Sequence, residues 1–511
     1  MNLRGRLGEQ LVTEEIGGEI FALATKIFPI CRSITGNGVR QTLREIGAHV
    51  ALETHEVPTG TKVFDWTIPR EWNIRDAYIK DSRGKKVVDF TRSNLHVVSY
   101  SVPVHRHMSL AELSQHVHTL PEQPDLIPYR TSYYSENWGF CMPHRQFENL
   151  REETYEVLID SSLEDGYLTY GEYLHKGETT DEFLLSAHVC HPSLANDNCS
   201  GVALLTHLAK RITRLRTRYS YRFLFAPGTI GAITWLARNE NNSQRIKHGL
   251  VISMVGDGGG PTYKKSRRGN AKIDRAIGHT LRHSGLTPTI LDFFPYGYDE
   301  RQYCSPGFNL PVGLFQRSRF AEIPQYHTSA DNLDFIRPDH LARSYRLLAE
   351  TLDVIENDAV YRNKMPKCEP QLENMDFMAR SGETSKLLPP IWPCYGYSIF
   401  LTGRIRCSTL LIVRVCRSHS FALQRRSCNN TAFSTKLGAA ICEESQGGPQ
   451  RPAQRAATPN AIAIAAAVQW PALGRTPPIA RWYGSYKWNT CGPERLTVCK
   501  QRHQLENDWF S

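Results

Sequence analysis

One continuous stretch, residues 181–209, constrains the fold of this 511-residue chain more than any other. Its first part contains the apolar run 183–185 after an acidic start, which predicts a short buried strand. Its last part, 202–209, has the spacing of an amphipathic helix. The polar loop between them, residues 188–199, therefore leaves the carboxyl end of a strand. In an open α/β sheet, that edge is where ligands and metals bind.

The polar loop carries side chains of the kinds that bind divalent metals. His188, His191 and Asp197 supply two imidazoles and a carboxylate, which are the nitrogen and oxygen donors of many zinc sites. A further imidazole, His327, lies in a polar loop just after the probable strand 311–315. A lone histidine is more often structural than a ligand, but these side chains cluster in loops that follow strands. The residues therefore predict a zinc site, and their spacing does not separate His188 from His191 as the ligand.

Three motifs, in order along the chain, carry a family resemblance. They are the polar loop with its flanks at 187–201, the run Asp-Glu-Arg-Gln-Tyr-Cys-Ser-Pro-Gly at 299–307, and the run Tyr-His-Thr-Ser-Ala-Asp-Asn-Leu-Asp at 326–334. Together they resemble the zinc aminopeptidase fold shared by bacterial leucyl aminopeptidases and glutaminyl cyclases. They are more similar still to aminopeptidase-like proteins of bacterial polysaccharide-biosynthesis clusters. The resemblance covers about residues 10–372.

The resemblance implies a ligand set. His188 aligns with the family's Ala-His start, so the implied ligands are His188, Asp197 and His327, with His191 as a competing ligand. Three protein ligands leave a coordination position open for water or substrate.

The chain also departs from that family. The well-characterised aminopeptidases place two adjacent glutamates, a base and a ligand, where this chain has Gly228–Thr229, and a further aspartate ligand near Ser253. Two usual ligands and the usual base are therefore missing, which favours one Zn²⁺ per chain over two. The chemistry of such a site still needs a general base to accept a proton from water.

The motif at 299–307 supplies candidates for the missing roles. Asp299 and Glu300 are the candidate bases, and Arg301 is a candidate carboxylate or oxyanion binder. The alternative, that Glu300 and Arg301 form a structural ion pair, stays open. Asp257, in the Gly-rich run 256–260, is a ligand, a supporting carboxylate or a turn residue.

Alternation of strands and helices predicts the fold class. The expected architecture is α/β, a mostly parallel central sheet wrapped by helices, of the zinc exopeptidase-like kind that the resemblance implies. Residues 9–50 and 150–366 would form this catalytic domain, with its first strand after the insertion at 155–160. Short alternating runs with Pro and Gly between them predict an inserted β-rich subdomain at 51–149, including a strand at 95–100.

The inserted subdomain has two possible roles, substrate capture over the cleft or a spacer that only stabilises the fold. Tyr133, Tyr134, Glu136 and Trp138 are its candidate cleft residues, with simple packing as the alternative.

The C-terminal part differs in charge and pattern from the rest. Residues 376–511 hold 17 of the 61 Lys and Arg but only 7 of the 51 Asp and Glu, so they account for the whole net charge of +10. They show no sustained period and carry seven of the 13 cysteines. We hypothesise that residues 373–511 are an irregular basic tail produced by a frameshift in place of the winged-helix domain that the resemblance implies. The alternative is a basic tail that binds nucleic acid or membrane surfaces.

Composition excludes several classes of protein. The first 375 residues are electrically balanced, with 44 basic and 44 acidic side chains, so we expect no nucleic-acid partner for the main body. No apolar run is long enough for a membrane span, and no secretory segment opens the chain. The odd cysteine count does not suggest a disulfide framework, and a cytoplasmic location is the default. The oligomeric state stays open.

These observations favour a zinc-dependent hydrolase of peptide-like amide bonds. It would act as an aminopeptidase, deacylase or amidase on a small peptide-like substrate or a sugar conjugate. One alternative is a binding protein that keeps the fold but has lost the base, consistent with Gly228. Another is an acyl transferase or cyclase on the same site, which the likeness to glutaminyl cyclases allows.

Overall fold

The structure, a computed structural model, describes residues 10–358 and, for the backbone alone, 360–362 and 404–406. The predicted tail at 373–511, with the frameshift and winged-helix hypotheses, lies outside the described residues apart from the short strand 404–406.

Strands and helices are numbered along the chain. The strands are β1 Glu53–Pro58, β2 Lys62–Val63, β3 Trp66–Thr67, β4 Glu71–Lys80, β5 Lys86–Asp89, β6 Val104–Ser109, β7 Val117–His118, β8 Phe140–Cys141, β9 Thr154–Glu164, β10 Tyr167–His175, β11 Glu182–His188, β12 Ser220–Ala226, β13 Ile246–Ile252, β14 Thr262–Lys264, β15 Thr289–Leu291, β16 Val312–Gln316, β17 Val360–Arg362 and β18 Arg404–Arg406. The helices are α1 Ile16–Ile27, α2 Asn37–Gly47, α3 Leu110–Leu113, α4 His144–Glu148, α5 Gly201–Ile212, α6 Ile230–Arg238, α7 Glu240–Ser243, α8 Lys272–Arg282, α9 Glu300–Tyr303 and α10 Pro338–Asn357.

Eight strands form the main sheet, in the order β1-β10-β12-β11-β13-β16-β14-β15. The central four, β12, β11, β13 and β16, run parallel. Antiparallel pairing begins at both flanks, where β10 meets β12 and β14 meets β16. The predicted α/β class is confirmed, with a parallel centre between antiparallel flanks.

Alternation along β11 explains why helices cover both faces of the sheet. Phe183 and Leu185 belong to the apolar cluster that contains α1, α2, α5, α8 and α10, whereas Leu184 belongs to the cluster that contains α6. Successive side chains of a strand point to opposite faces, so a continuous apolar run requires cover on both. The carboxyl end of β11 therefore opens at an edge between two helical layers.

A second sheet has the antiparallel order β5-β4-β9-β6. β9 contains residues 155–160, so the prediction that this run opens the α/β body was wrong. The reason is packing, since Val157 and Ile159 share an apolar cluster with Ala77 and Ile79 of β4. Conversely, β1 lies within 51–149 yet pairs with β10 of the main sheet. The domain boundaries themselves stay a prediction.

The strand predicted at 95–100 was also wrong. Asn94–His96 form a 3₁₀ turn in which the N–H of Leu95 donates to the Ser93 hydroxyl at 3.3 Å. Beyond it, the chain makes only the single bridges Val97 to Phe140 and Ser99 to Thr131. Val97 and Val98 are buried there, but this segment pairs with its neighbours only through single bridges and not through a ladder.

Two further observations concern helix hydrophobicity and the cysteines. In the part of the chain that the structure describes, no helix is both long and apolar enough to cross a membrane. The cysteines described there, at positions 31, 141, 190, 199 and 304, are all free thiols.

Candidate metal centre

The loop that leaves β11 places one carboxylate between two imidazoles from distant parts of the chain. His188 is the last residue of β11, and Asp197 lies in the turn Ala195–Ser200 that precedes α5. His188 Nε2 is 2.9 Å from Asp197 Oδ1, and His327 Nε2 is 3.3 Å from Asp197 Oδ2. The Asp197 carboxylate is fully buried, and each of its oxygens faces one of these imidazoles.

His191 lies at the same place. The possible donor atoms of His188, His191 and Asp197 all lie within 4.8 Å of one another. The His191 ring centroid is 4.9 Å from that of His188 and 5.2 Å from that of His327. The structure thus brings together all four side chains that the sequence singled out as ligands.

The charges of this cluster suit a divalent cation. Burial would raise the pKa of Asp197, but the neighbouring His191, His188 and His327 hold it well below its usual range. Burial lowers the pKa of His191 well below its usual range, so its imidazole is neutral near pH 7. Metal ligands must be ionised carboxylates and neutral imidazoles, and Asp197 and His191 meet that condition.

Two buried polar atoms at the centre lack a hydrogen bond. Within the described residues, neither Asp197 Oδ2 nor His327 Nε2 has a hydrogen-bond partner. Buried polar atoms without a partner are rare and expensive, and an ion is one of the ordinary reasons for them. The residues present therefore fit a bound Zn²⁺.

Two further carboxylates hold the metal loop in place. Asp331 accepts the backbone N–H groups of Asn196 at 2.6 Å and Asp197 at 2.9 Å. Asp257 accepts the Asn196 side-chain amide at 2.8 Å and the Ser318 hydroxyl at 2.5 Å. Asp257, whose role the sequence left open, therefore contacts the loop from outside the His-His-Asp cluster.

A buried guanidinium ties the loop to the N-terminal helices. Arg32 is 3 % exposed and lies between α1 and α2. Its Nε donates to the His191 carbonyl at 2.9 Å, and its Nη2 donates to Cys199 Sγ at 3.1 Å. One side chain therefore fixes both arms of the loop.

Asp299 and Arg301 line the cleft above the metal centre, and both contact Thr229. The Thr229 N–H donates to Asp299 Oδ1 at 2.6 Å, and Arg301 Nη2 donates to the Thr229 hydroxyl at 3.2 Å. Burial raises the pKa of Asp299 to about 6. Thr229 itself has no carboxylate, and Asp299, from a different loop, supplies one to this part of the cleft.

Glu300 is placed differently from its two neighbours. Its side chain is fully buried, does not line the cleft and pairs with Lys264, which is 1 % exposed. Lys264 Nζ also donates to the carbonyls of Tyr296 at 2.5 Å and Phe294 at 3.3 Å. The sequence left a Glu300–Arg301 ion pair open; the ion pair that forms is with Lys264, and it holds the loop that forms one wall of the cleft.

Gly228 leaves little room for a side chain. A Cβ at this position would lie 3.2 Å from Cys190 Sγ and 3.7 Å from His188 Cβ. The Gly228 N–H also donates to Cys190 Sγ at 3.2 Å. A glutamate at 228 would press on the Cys190 thiol, which gives a steric reason for its absence.

The segment 127–133, from the predicted insertion, contributes to the same cleft. The Tyr129 N–H donates to the His327 carbonyl at 2.8 Å, and the Ser329 N–H donates to the Ile127 carbonyl at 2.9 Å. The Tyr129 ring lies 5.1 Å from that of His327 and 5.2 Å from that of His191. His327 has a φ of +54°, which is unusual for a non-glycine residue, and the Tyr129 bond helps to fix that backbone.

Of the four residues predicted for the cleft from this region, one lines the cleft and three do not. Tyr133 lines the cleft, and its hydroxyl lies 2.7 Å from that of Tyr129. Tyr134 is 44 % exposed, Glu136 pairs with a surface arginine, and Trp138 stacks on a neighbouring histidine of the insertion. These last three do not line the cleft.

The cleft itself is open and rich in aromatic side chains. Its empty volume, including the part open to solvent, is about 790 Å³. Six of its 16 lining residues are tyrosine or phenylalanine, namely Tyr129, Tyr133, Tyr296, Tyr298, Phe320 and Tyr326. The Tyr298 ring stacks on His188 with 5.0 Å between centroids. The cleft therefore combines hydrophobic walls with a few polar groups at its base, as ligand sites do.

Sequence reasoning missed Tyr129, Arg32 and Asp331 as parts of this site. Tyr129 and Arg32 lie far from the motifs along the chain, so no local pattern marks them. Asp331 does lie in the motif 326–334, and its place four residues after His327 was the available signal.

Comparison with known proteins places the chain in a family. A family described as "Domain of unknown function (DUF4910)" matches residues 21–358. A curated relative from Clostridium acetobutylicum is 56 % identical over 360 residues, which cover 70 % of this chain and 83 % of the relative. Its name describes, provisionally, a polysaccharide biosynthesis protein with an aminopeptidase-like domain.

Solved structures agree with that assignment. A crystal structure from Clostridium acetobutylicum, provisionally named a peptidase, is 51 % identical with a TM-score of 0.69, covering 77 % of this chain and 94 % of that one. A zinc aminopeptidase from Bacillus subtilis is 11 % identical with a TM-score of 0.50, covering 67 % of this chain and 94 % of its own, which is a likeness of fold alone. The chain therefore belongs to the family described as DUF4910, and it has the fold of the zinc exopeptidases.

Proposed function

We propose that the chain is a zinc-dependent hydrolase of peptide-like amide bonds, with one zinc held by His188, Asp197 and His327. His191 lies close enough to serve as an additional or alternative ligand. One observation carries the proposal: a fully buried carboxylate lies between two imidazoles, at 2.9 and 3.3 Å, at the base of an open cleft.

When bound, zinc would lower the pKa of a water molecule towards 7 and polarise the amide carbonyl. The chain's own residues supply the remaining functions. We assign Asp299 as the general base, because its carboxylate faces the cleft and the Thr229 N–H orients it. Tyr298 packs flat on His188 and limits the rotation of that imidazole. Glu300 has no place in this scheme, since its carboxylate lies in the interior with Lys264.

The walls of the cleft suggest what the substrate looks like. Aromatic rings pack well on the apolar faces of sugars and on short side chains, and six of them line this cleft. The curated relative is named for polysaccharide biosynthesis. Both observations support a small peptide-like substrate or a sugar conjugate with an amide bond.

Zinc content of the full chain is the first test. Wild type, His188→Ala and His327→Ala should be purified side by side and analysed for zinc per chain, with circular dichroism as the control for folding. We expect about one zinc in wild type and its loss in both variants, since each removes one of three ligands. Two zinc ions per wild-type chain would contradict the single site, and a folded wild type without zinc would contradict the proposal.

A binding protein without hydrolytic activity is the second candidate. The observation that favours it is the absence of a carboxylate at Gly228–Thr229, where the aminopeptidases carry their base. Release of free amine from aminoacyl substrates separates the two candidates. A zinc-loaded protein that binds such compounds but releases no amine would favour the binding protein.

A further inference from the structure

Arg301 presents a positive charge to the cleft without a carboxylate partner. Its side chain is half-buried and lines the cleft wall next to Asp299. Within the described residues its side chain makes no ion pair within 4.0 Å, and the one hydrogen bond of that side chain runs from Nη2 to the Thr229 hydroxyl at 3.2 Å. Its Nε is buried and has no acceptor. Part of the guanidinium fork is therefore unused.

Among the described residues, two other half-buried arginines, Arg222 and Arg40, pair with carboxylates, whereas the buried Arg32 donates to backbone carbonyls and a thiol. Arg222 contacts Glu172 and Glu182 at 2.6 and 2.7 Å, and Arg40 contacts Glu56 at 2.9 Å. Arg301 differs from these three because its buried Nε has no acceptor, and such a donor at the wall of a cleft is satisfied when a ligand brings an acceptor.

We propose that Arg301 binds a carboxylate group of the substrate, close to the bond that is cleaved. This inference rests on the proposed hydrolase function and names its substrate class, an amide that carries a free carboxylate. The position follows from Thr229, whose N–H contacts Asp299 and whose hydroxyl contacts Arg301. Thr229 therefore bridges the guanidinium and the proposed base. A carboxylate bound to Arg301 would lie a few bonds from the carbonyl of the amide that is cleaved.

The charge of the cleft favours a carboxylate over a phosphate. Arg301 is the only lysine or arginine among the described residues that line the cleft, and Asp299 supplies a negative charge beside it. A single guanidinium matches one negative charge in a planar, bidentate geometry. A phosphate dianion would bring a second negative charge next to Asp299 without a second cation to balance it.

Matched pairs of compounds test the assignment. Alanyl-glycine and alanyl-glycinamide differ only in a carboxylate on the amine side of the amide, and succinyl-glycinamide and its neutral succinamoyl analogue differ on the acyl side. Binding to the full chain, zinc-loaded and metal-free, should be measured by titration calorimetry, and amine release should be followed separately. We expect wild type to bind one of the charged compounds about 10- to 100-fold more tightly than its neutral partner, as a charge-assisted hydrogen bond implies.

Variants at position 301 identify the source of that preference. Arg301→Gln should abolish the preference for the charged compound and leave binding of its neutral partner unchanged, and Arg301→Lys should restore part of it. Arg75→Gln, an exposed arginine of the second sheet, is the matched control. Equal loss for charged and neutral compounds in Arg301→Gln would show that Arg301 only supports Asp299, and it would overturn the inference. A wild type that binds the charged and neutral compounds equally would also overturn the inference, and this outcome does not depend on whether the 301 variants fold.

The two hypotheses fail in different ways. Amine release without a charge preference would leave the hydrolase and remove the carboxylate site. An Arg301-dependent charge preference in binding, without amine release from any compound, would leave the carboxylate site and remove the hydrolase.

Discussion

Replacing Glu300 by glutamine separates a structural role from a catalytic one. The sequence motif offered Glu300 and Asp299 equally as the base, and the structure places only Asp299 at the cleft. Glu300 and Lys264 are 0 and 1 % exposed and form a buried ion pair. Glu300→Gln keeps the shape of the side chain and removes its charge, so it leaves Lys264 buried without a counter-ion.

The size of the effect follows from the charge that stays in the interior. Removing one partner of a buried ion pair costs about 3–5 kcal/mol. The carbonyls of Tyr296 and Phe294 remain as acceptors for the Lys264 ammonium and offset part of that cost. We therefore expect a loss of about 3–4 kcal/mol in the free energy of unfolding at pH 7.

Urea unfolding of the full chain, followed by circular dichroism at pH 7, measures this loss. Asp299→Asn is the matched control, because it changes the adjacent carboxylate of the same motif in the same way. We expect that variant to keep most of its stability and to lose activity. If Glu300→Gln unfolded like wild type and lost activity instead, Glu300 would be the base, and its assignment to an interior ion pair would be refuted.

Three further predictions address the metal, the base and acid stability. Asp331→Asn should weaken zinc binding by about 10- to 100-fold, because it turns an acceptor of two loop N–H groups into a partial donor. Competition with a chelator measures the zinc affinity, and an unchanged affinity would show that Asp331 does not support the loop. Asp299→Asn should lower amine release by about 100- to 10,000-fold while the zinc content stays that of wild type, and loss of zinc instead would make Asp299 a ligand. His248 is buried between Tyr219 and Phe183, and burial lowers its pKa to about 3. Protonation then favours the unfolded chain at every pH below about 6.5, so this one group should lower the free energy of unfolding by about 2 kcal/mol between pH 7 and pH 5. His248→Phe should abolish that part of the decrease in urea unfolding, and an unchanged pH dependence would show that other groups cause it.

The parts of the fold that sequence predicted best are those with local signals. The strand β11, the polar loop and α5 follow one another within about thirty residues, and the apolar run, the turn and the helical spacing each mark their place. The loop of His327 could be predicted because it follows the buried strand β16.

The errors arose where long-range pairing decided the outcome. The sequence pattern of residues 155–160 predicts a strand, but the pairing of that strand with β4 determines which sheet it joins. The run 95–100 has strong β propensity and no full partner strand, so it stays irregular. Tyr129 reaches the cleft through bonds to residues about 200 positions away, which no window of sequence contains.

Side-chain direction explains why Glu300, between Asp299 and Arg301, does not line the cleft. Three charged or polar residues in a row resemble a catalytic cluster, but a short helical turn points consecutive side chains in different directions. Asp299 and Arg301 turn to the cleft, whereas Glu300 turns to Lys264. Sequence predicted the location of the cluster, and the direction of each side chain separates the two that line the cleft from the one that does not.

The backbone bonds between segment 127–129 and the loop of His327 couple the predicted insertion to the proposed metal site. A lid that swings open needs a free edge, but this segment is bonded to the loop that carries one of the proposed ligands. Moving segment 127–129 outward would break these bonds or draw His327 away from Asp197. Motion on this side of the cleft and the geometry of the proposed metal site are therefore coupled.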